Sequence, residues 1–257
     1  MRFSLKKLGP GLLFAGAAIG VSHLVQSTRA GADFGFGLVW ALLLVNLFKY
    51  PFFQFGPRYA LATGETLLDG YKKLGKGVLV AYFILTFATM FTIQTAVTIV
   101  TAGLASTLFG NYISTETWTI IILAICFAIL IKGQYKFLDK LMKVIVIILT
   151  ISTIIAVFLA STEYTHVINF NQILPKSTIE ITFLIAFMGW MPAPLDISVW
   201  HSLWAIEKNK DDTSYNVKSS LFDFNVGYLA TIILGLGFIA LGALIMFQSG
   251  EAFSSKG

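Results

Sequence analysis

Two apolar stretches of this chain are each long enough to cross a bilayer, and each is interrupted in its middle. The first runs from Leu8 to Ala30 and is broken at Gly20-Val21-Ser22-His23. The second runs from Phe183 to Trp204 and is broken by Met188-Gly189-Trp190-Met191-Pro192-Ala193-Pro194-Leu195-Asp196. They lie five segments apart. Unwound backbone inside lipid is tolerated only where it is buried in protein or lines a cavity, because its N–H and C=O groups need partners. Interrupted segments at corresponding places of two halves point to a binding site near the bilayer midplane.

The rest of the sequence is consistent with a membrane setting. Of the 257 residues 56% are hydrophobic and 12% charged, against roughly 25% charged in an ordinary soluble domain. Seven apolar stretches are expected to span, at about 10–29, 37–60, 78–108, 117–132, 142–160, 178–205 and 222–247, within a single transmembrane domain over 1–257. The basic start at Arg2, Lys6 and Lys7 resembles that of a signal peptide. Six further spans follow, however, so the first segment reads as a retained helix. The single cysteine, Cys126, precludes an internal disulfide and a thiolate metal cluster.

Orientation accounts for the net charge of +5 better than a nucleic-acid partner does. With the N-terminus in the cytoplasm, alternation through seven spans gathers Arg2, Lys6 and Lys7, then Arg58, Lys72, Lys73 and Lys76, on the inner side. Lys132, Lys136, Lys140 and Lys143, and then Lys208, Lys210 and Lys218, join them there. These are fourteen of the 18 Lys and Arg residues, a positive-inside bias that predicts a cytoplasmic N-terminus; the expected setting of this multi-pass chain is the plasma (inner) membrane. The stretch from Lys132 to Lys143 reads as a basic amphipathic turn against lipid headgroups.

The third span carries Thr at 86, 89, 92, 95, 98 and 101, with Gln94 among them. Steps of three residues wind around a 3.6-residue helix, so packing and back-bonding to helix carbonyls are the favoured roles. Gln94 is the member to watch. In the last span Gly227, Gly235, Gly237 and Gly242 permit close helix contact.

Several motifs resemble one family. They are Gly9-Pro10-Gly11 opening the first broken segment, Arg29-Ala30-Gly31-Ala32-Asp33-Phe34-Gly35, Trp40-Ala41-Leu42-Leu43-Leu44-Val45-Asn46-Leu47, Ala62-Thr63-Gly64-Glu65 and the Met191-Pro192 break. Together they are similar to the Nramp-type divalent metal transporters, gaplessly from Gly9 to about Gly64 and more loosely over essentially the whole chain. The resemblance implies an all-α, polytopic LeuT-type inverted-repeat fold. The chain would supply one five-helix repeat and the first two helices of the second, as expected of a C-terminally truncated sequence.

The resemblance also implies cargo ligands, and here the sequence departs from the family. The family's Asp-Pro-Gly-Asn break falls on Gly20, Val21, Ser22 and His23, so the carboxylate is lost and the amide becomes an imidazole. The family's metal-binding Met falls on Met191, its backbone carbonyl position on Met188, and the following His on Ala193. Acids that the family carries for protons fall on Gln94 and Val97. The implied set is therefore His23, Met191 and the carbonyls of Ala18, Ile19 and Met188 beside Gly20. Imidazole and thioether suit a borderline or soft transition metal better than magnesium or calcium, and the cargo expected from the resemblance is manganese, iron or cobalt. Asp196 would restore a negative charge, either as a metal ligand or, instead, as a helix cap or a partner of His201.

Lys49, in the middle of the second span, complicates this set. It is expected to pair with Asp196 or Asp33, to snorkel, or to stand by charge where a coupling cation would sit. Proton coupling by the family's usual route is therefore not assumed. Arg29 and Asp33 read as an i,i+4 pair. The expected function is secondary transport of a metal cation by alternating access, with no permanently bound cofactor. The alternatives are a small organic solute such as an amino acid, held with Lys49 as cationic partner, and a non-transporting sensor or scaffold. The three histidines, at 23, 166 and 201, have no hydrolase spacing and no nucleotide-binding glycine pattern occurs, which speaks against an enzyme.

Overall fold

A computed structural model describes residues 8–110, 112–132, 135–164 and 167–247. His166, the first basic cluster and the C-terminal end lie outside the described residues, as do the side chains of residues 132–136 in the basic turn. The described residues are helical or irregular, with no strand among them. They divide into two compact units, one formed by residues 8–67 and 139–247 and the other by residues 68–138.

The first unit contains both interrupted segments. Helix α1 (Pro10–Ala18) starts with a proline whose fixed φ suits the first helical position and whose missing N–H is not needed there. It ends at Ile19, and the chain resumes as a π-helical turn, Ser22–Ser27, that runs into α2 (Thr28–Phe34). The two halves are bent by 51°. Helix α3 (Val39–Thr63) passes through Pro51 and Pro57 and stops at Gly64, whose φ of 74° closes the helix with a hydrogen bond from its N–H to the Ala60 carbonyl. Helix α7 (Tyr135–Glu163) contributes its residues from Asp139 onward to this unit.

The second interrupted segment is α8 (Thr178–Trp190) followed by α9 (Asp196–Asp211). Ser177 and Glu180 form a reciprocal capping box that starts α8 firmly. The far end has no such closure. In a continued helix the Met188 carbonyl would accept from residue 192 and the Trp190 carbonyl from residue 194. Both are prolines and have no N–H. The break is thus written into the sequence as missing donors. Helix α10 (Val217–Ile245) starts with an Asn216–Ser219 capping box.

Close backbone approach holds α10 against both halves of the first segment. A Cβ placed on Gly227 would sit 1.9 Å from the Gly11 carbonyl oxygen, and one on Gly242 would sit 2.0 Å from that of Thr28. Apolar packing fills the rest. Phe14, Phe53, Phe224 and Tyr228 form one aromatic cluster, and Leu38, Leu42, Val45, Phe187 and Met191 belong to another.

The second unit comprises α4 (Leu67–Leu74) from Leu68 onward, α5 (Lys76–Phe109), α6 (Thr115–Lys132) and the start of α7 up to Leu138. Phe83, Phe87 and Phe91 of α5 are exposed, as lipid-facing side chains are. Its threonines largely bond back to their own helix: Thr89 to Leu85, Thr98 to Gln94 and Thr101 to Val97. Gln94 donates to the Thr98 hydroxyl at 3.0 Å, within the same helix.

Seven stretches were expected to span. By length and composition, three of the described helices are able to do so unbroken, and the bent first pair makes a fourth. The difference has local causes. The halves α8 and α9 are each short, the apolar helix Thr115–Ile131 of α6 falls just under the length required, and Asn46, Lys49, Gln54 and Arg58 reduce the hydropathy of α3.

Candidate cation-binding site

At the open end of α8 the Met188, Gly189 and Met191 carbonyls turn toward one point. That point is the Lys49 ammonium, which donates to them at 2.9, 2.9 and 2.6 Å. A helix C-terminus leaves carbonyls unpartnered and carries partial negative charge, so it attracts a cation. Lys49 reaches it from the middle of α3 and is half-buried. Of the roles open to Lys49 in the sequence, pairing with a carboxylate is not seen among the described residues; its partners there are three backbone oxygens. Asp33 pairs with Arg29 instead, at 3.3 Å, and the Arg29 guanidinium lies over the Phe183 ring at 5.1 Å.

The first break is closed by its own groups. The Ala18 carbonyl accepts the Ser22 hydroxyl at 2.7 Å and the Gly20 N–H at 3.0 Å. The Gly20 carbonyl accepts the N–H groups of His23 and Leu24. Ile19 is buried in an apolar cluster with Leu12, Ala15 and Leu234. Gly20 faces open space, with no neighbour near the position its Cβ would take.

His23 is 1% exposed, and both of its ring nitrogens face protein atoms. Nδ1 lies 2.8 Å from the Ser22 hydroxyl and 3.1 Å from the Ala18 carbonyl, and Nε2 lies 3.0 Å from the Thr231 carbonyl on α10. Nε2 meets a carbonyl and so donates to Thr231, while the donor or acceptor role of Nδ1 toward Ser22 and Ala18 follows the tautomer. The ring expected to face cargo is thus committed to bridging the first break to α10.

Met191 is fully buried among the apolar side chains of α3 and α8. Asp196 is buried at the first position of α9, where the helix dipole favours a carboxylate. His201, offered in the sequence as a partner for Asp196, stacks on Phe14 with ring centroids 5.7 Å apart, and among the described residues neither of its ring nitrogens has a hydrogen-bond partner. Among the described residues no three His, Cys, Asp or Glu side chains gather in a metal-binding group. A cavity of about 350 Å³ lies beside α2 and α8, lined by Gln26, Arg29, Thr178 and Phe183 among others; His23, Met191 and Asp196 are not in its lining.

Asp223 was missed in the sequence. Its carboxylate accepts the Gly9 N–H at 3.0 Å, the Gly11 N–H at 2.9 Å and the Tyr215 hydroxyl at 2.8 Å. It caps α1, whose own Gly9 has no side chain to do so. Two signals were present: an acid inside an apolar stretch, and a helix opening Gly-Pro-Gly without a capping side chain.

The family profile described as natural resistance-associated macrophage protein-like, Nramp, matches residues 11–256. The chain belongs to the Nramp family. An uncharacterized protein of Pasteurella multocida is 40% identical over 97% of this Nramp chain and 58% of its own length. The divalent metal cation transporter MntH of Staphylococcus saprophyticus is 22% identical over 93% of the chain and 56% of its own length. The chain thus spans little more than half the length of the curated relatives it matches. Among solved structures, an Eremococcus coleocola manganese transporter, crystallised with an aromatic bis-isothiourea substituted compound, superimposes with a TM-score of 0.71 at 13% identity. That alignment covers 93% of this chain and 51% of the other, and it establishes the LeuT-type, all-helical fold of this Nramp protein.

Proposed function

We propose that this Nramp chain provides the cargo-binding region of a secondary transporter that moves a divalent transition-metal cation, of the manganese or iron type, by alternating access. One observation carries the reading: three carbonyls at the end of a broken helix converge on a single cation, the Lys49 ammonium. Backbone oxygens freed at such breaks are the groups with which transporters of interrupted-helix design coordinate cations. Family membership and the names of its relatives favour a metal as cargo. Met191 would add a thioether beside the Met188 carbonyl, and Asp196 a nearby negative charge, whereas His23 would become a ligand only by releasing Thr231.

The organic-solute alternative is less well supported. An ammonium has three N–H donors, and Lys49 directs all three to carbonyls, leaving none for a carboxylate. The basic-residue pattern favours a cytoplasmic N-terminus, and the plasma membrane is the setting proposed. Uptake by proteoliposomes containing the full protein tests the function. Saturable uptake of manganese in preference to magnesium is expected. If manganese, iron and cobalt all remain outside, the proposal is wrong.

A further inference from the structure

We infer that Lys49 is a built-in cation: its ammonium fills the carbonyl seat at the end of α8, and a cargo cation enters that seat only after Lys49 has swung out of it. The inference deepens the proposed function and rests on its reading of the α8 break as the cargo site.

The seat is a consequence of sequence. Pro192 denies the Met188 carbonyl its helical donor, so this oxygen needs a partner from elsewhere. Met191 closes the last turn through its N–H to the Phe187 carbonyl at 3.2 Å, but its own carbonyl is turned to Lys49. Three oxygens around one nitrogen match the three donors of an ammonium, so its coordination is complete. Carbonyl oxygens are also ligands for metal cations. An ammonium and a metal ion that require the same oxygens cannot share them, because they carry charge of the same sign and need the same space.

The tether is able to move. The Lys49 ammonium sits on a flexible four-carbon stem, so it can leave the seat by side-chain rotation alone while α3 stays in place. Its side chain is only half-buried, which leaves a way out. Apparent cargo affinity is then multiplied by the fraction of time the seat is free, so Lys49 sets both the affinity for the cargo and the charge carried by the empty state.

The test uses the full-length protein in detergent, with Lys49→Met to keep the stem and Lys49→Gln as a second neutral variant. Manganese binding is measured by calorimetry. Unfolding temperatures are recorded in methylammonium chloride and manganese chloride, against choline chloride at equal ionic strength. Both variants are expected to bind manganese about tenfold tighter than the parent or better, as removal of an occupant that holds the seat nine-tenths of the time would give. Methylammonium should raise the unfolding temperature of the variants and leave the parent unchanged. If the variants bind manganese no tighter and respond to no cation more than the parent does, the tethered cation is ruled out. A variant recovered folded only in methylammonium supports the seat, and one recovered in none of these salts counts against it. Rescue by methylammonium without manganese binding upholds the seat and removes metal as cargo. Manganese uptake by parent liposomes, with variants unaltered in binding and stability, upholds transport and removes the seat.

Discussion

The Asp223 carboxylate on α10 accepts the Gly11 N–H of α1 at 2.9 Å, which fixes the start of the first broken helix to the start of the last described helix. The same carboxylate also takes the Gly9 N–H and the Tyr215 hydroxyl and is fully buried. Its replacement would leave several buried donors unpartnered. Asp223→Ala is expected to cost about 3 kcal/mol, with Asp223→Asn costing less because one acceptor oxygen remains. Unfolding in mixed micelles measures both; an Ala variant as stable as the parent would show that the cap is dispensable.

The crossing of α1 and α10 depends on hydrogen atoms where other residues have side chains. A methyl group on Gly227 would meet the Gly11 carbonyl at 1.9 Å, and backbone cannot turn aside as a side chain can. Gly227→Ala should therefore destabilise by about 1–3 kcal/mol. Gly103 in α5 has open space where its Cβ would stand, so Gly103→Ala should be neutral or stabilise by up to about 1 kcal/mol. Equal losses at the two positions would contradict the geometry.

His23 bridges the first break to α10: Nδ1 lies beside the Ser22 hydroxyl and the Ala18 carbonyl, and Nε2 donates to the Thr231 carbonyl. His23→Ala is expected to lower stability by about 2 kcal/mol, since a buried carbonyl on α10 loses its donor. The apparent KM for manganese in proteoliposomes should change little while the yield of folded protein falls. A large rise in KM at unchanged stability would instead make His23 a cargo ligand.

The capping box of α8 holds the helix whose other end forms the cation seat. Ser177 accepts the Glu180 N–H at 3.2 Å, and Glu180 accepts the Ser177 N–H at 3.2 Å. Ser177→Ala should cost about 1 kcal/mol. Hydrogen exchange should quicken in the first turn of α8 and remain unchanged at its Met188 end. Exchange that quickens along the whole helix would mean that the two ends are not independent.

Much of the fold was legible because its signals are local. Apolar length, the Gly20 break and the prolines at 192 and 194 are properties of short stretches, and each acts on the backbone within a turn of itself. The glycines of α10 were readable as close-contact positions, although not which backbone they would meet. The site was less legible. The family resemblance directed His23 toward cargo, yet its ring is held by Ser22 next door and by Thr231, 208 residues away. Asp196 and His201 lie on one helix five residues apart, but the packing of Phe14 and Phe224 around His201 turns its ring into an aromatic stack. Spacing along a helix says which side chains are neighbours, not which of several neighbours prevails.

The sequence by itself determined a multi-helix membrane chain with two broken helices, because missing N–H donors and runs of apolar side chains act wherever they occur. It also determined that the end of α8 would need a cation or other donor, since Pro192 removes the partner of the Met188 carbonyl. Only the tertiary structure decided that Lys49 answers that need. The choice among carboxylate, lipid headgroup and carbonyl depends on which groups α3 brings within reach of one flexible stem, and that follows from how α3 packs against α8.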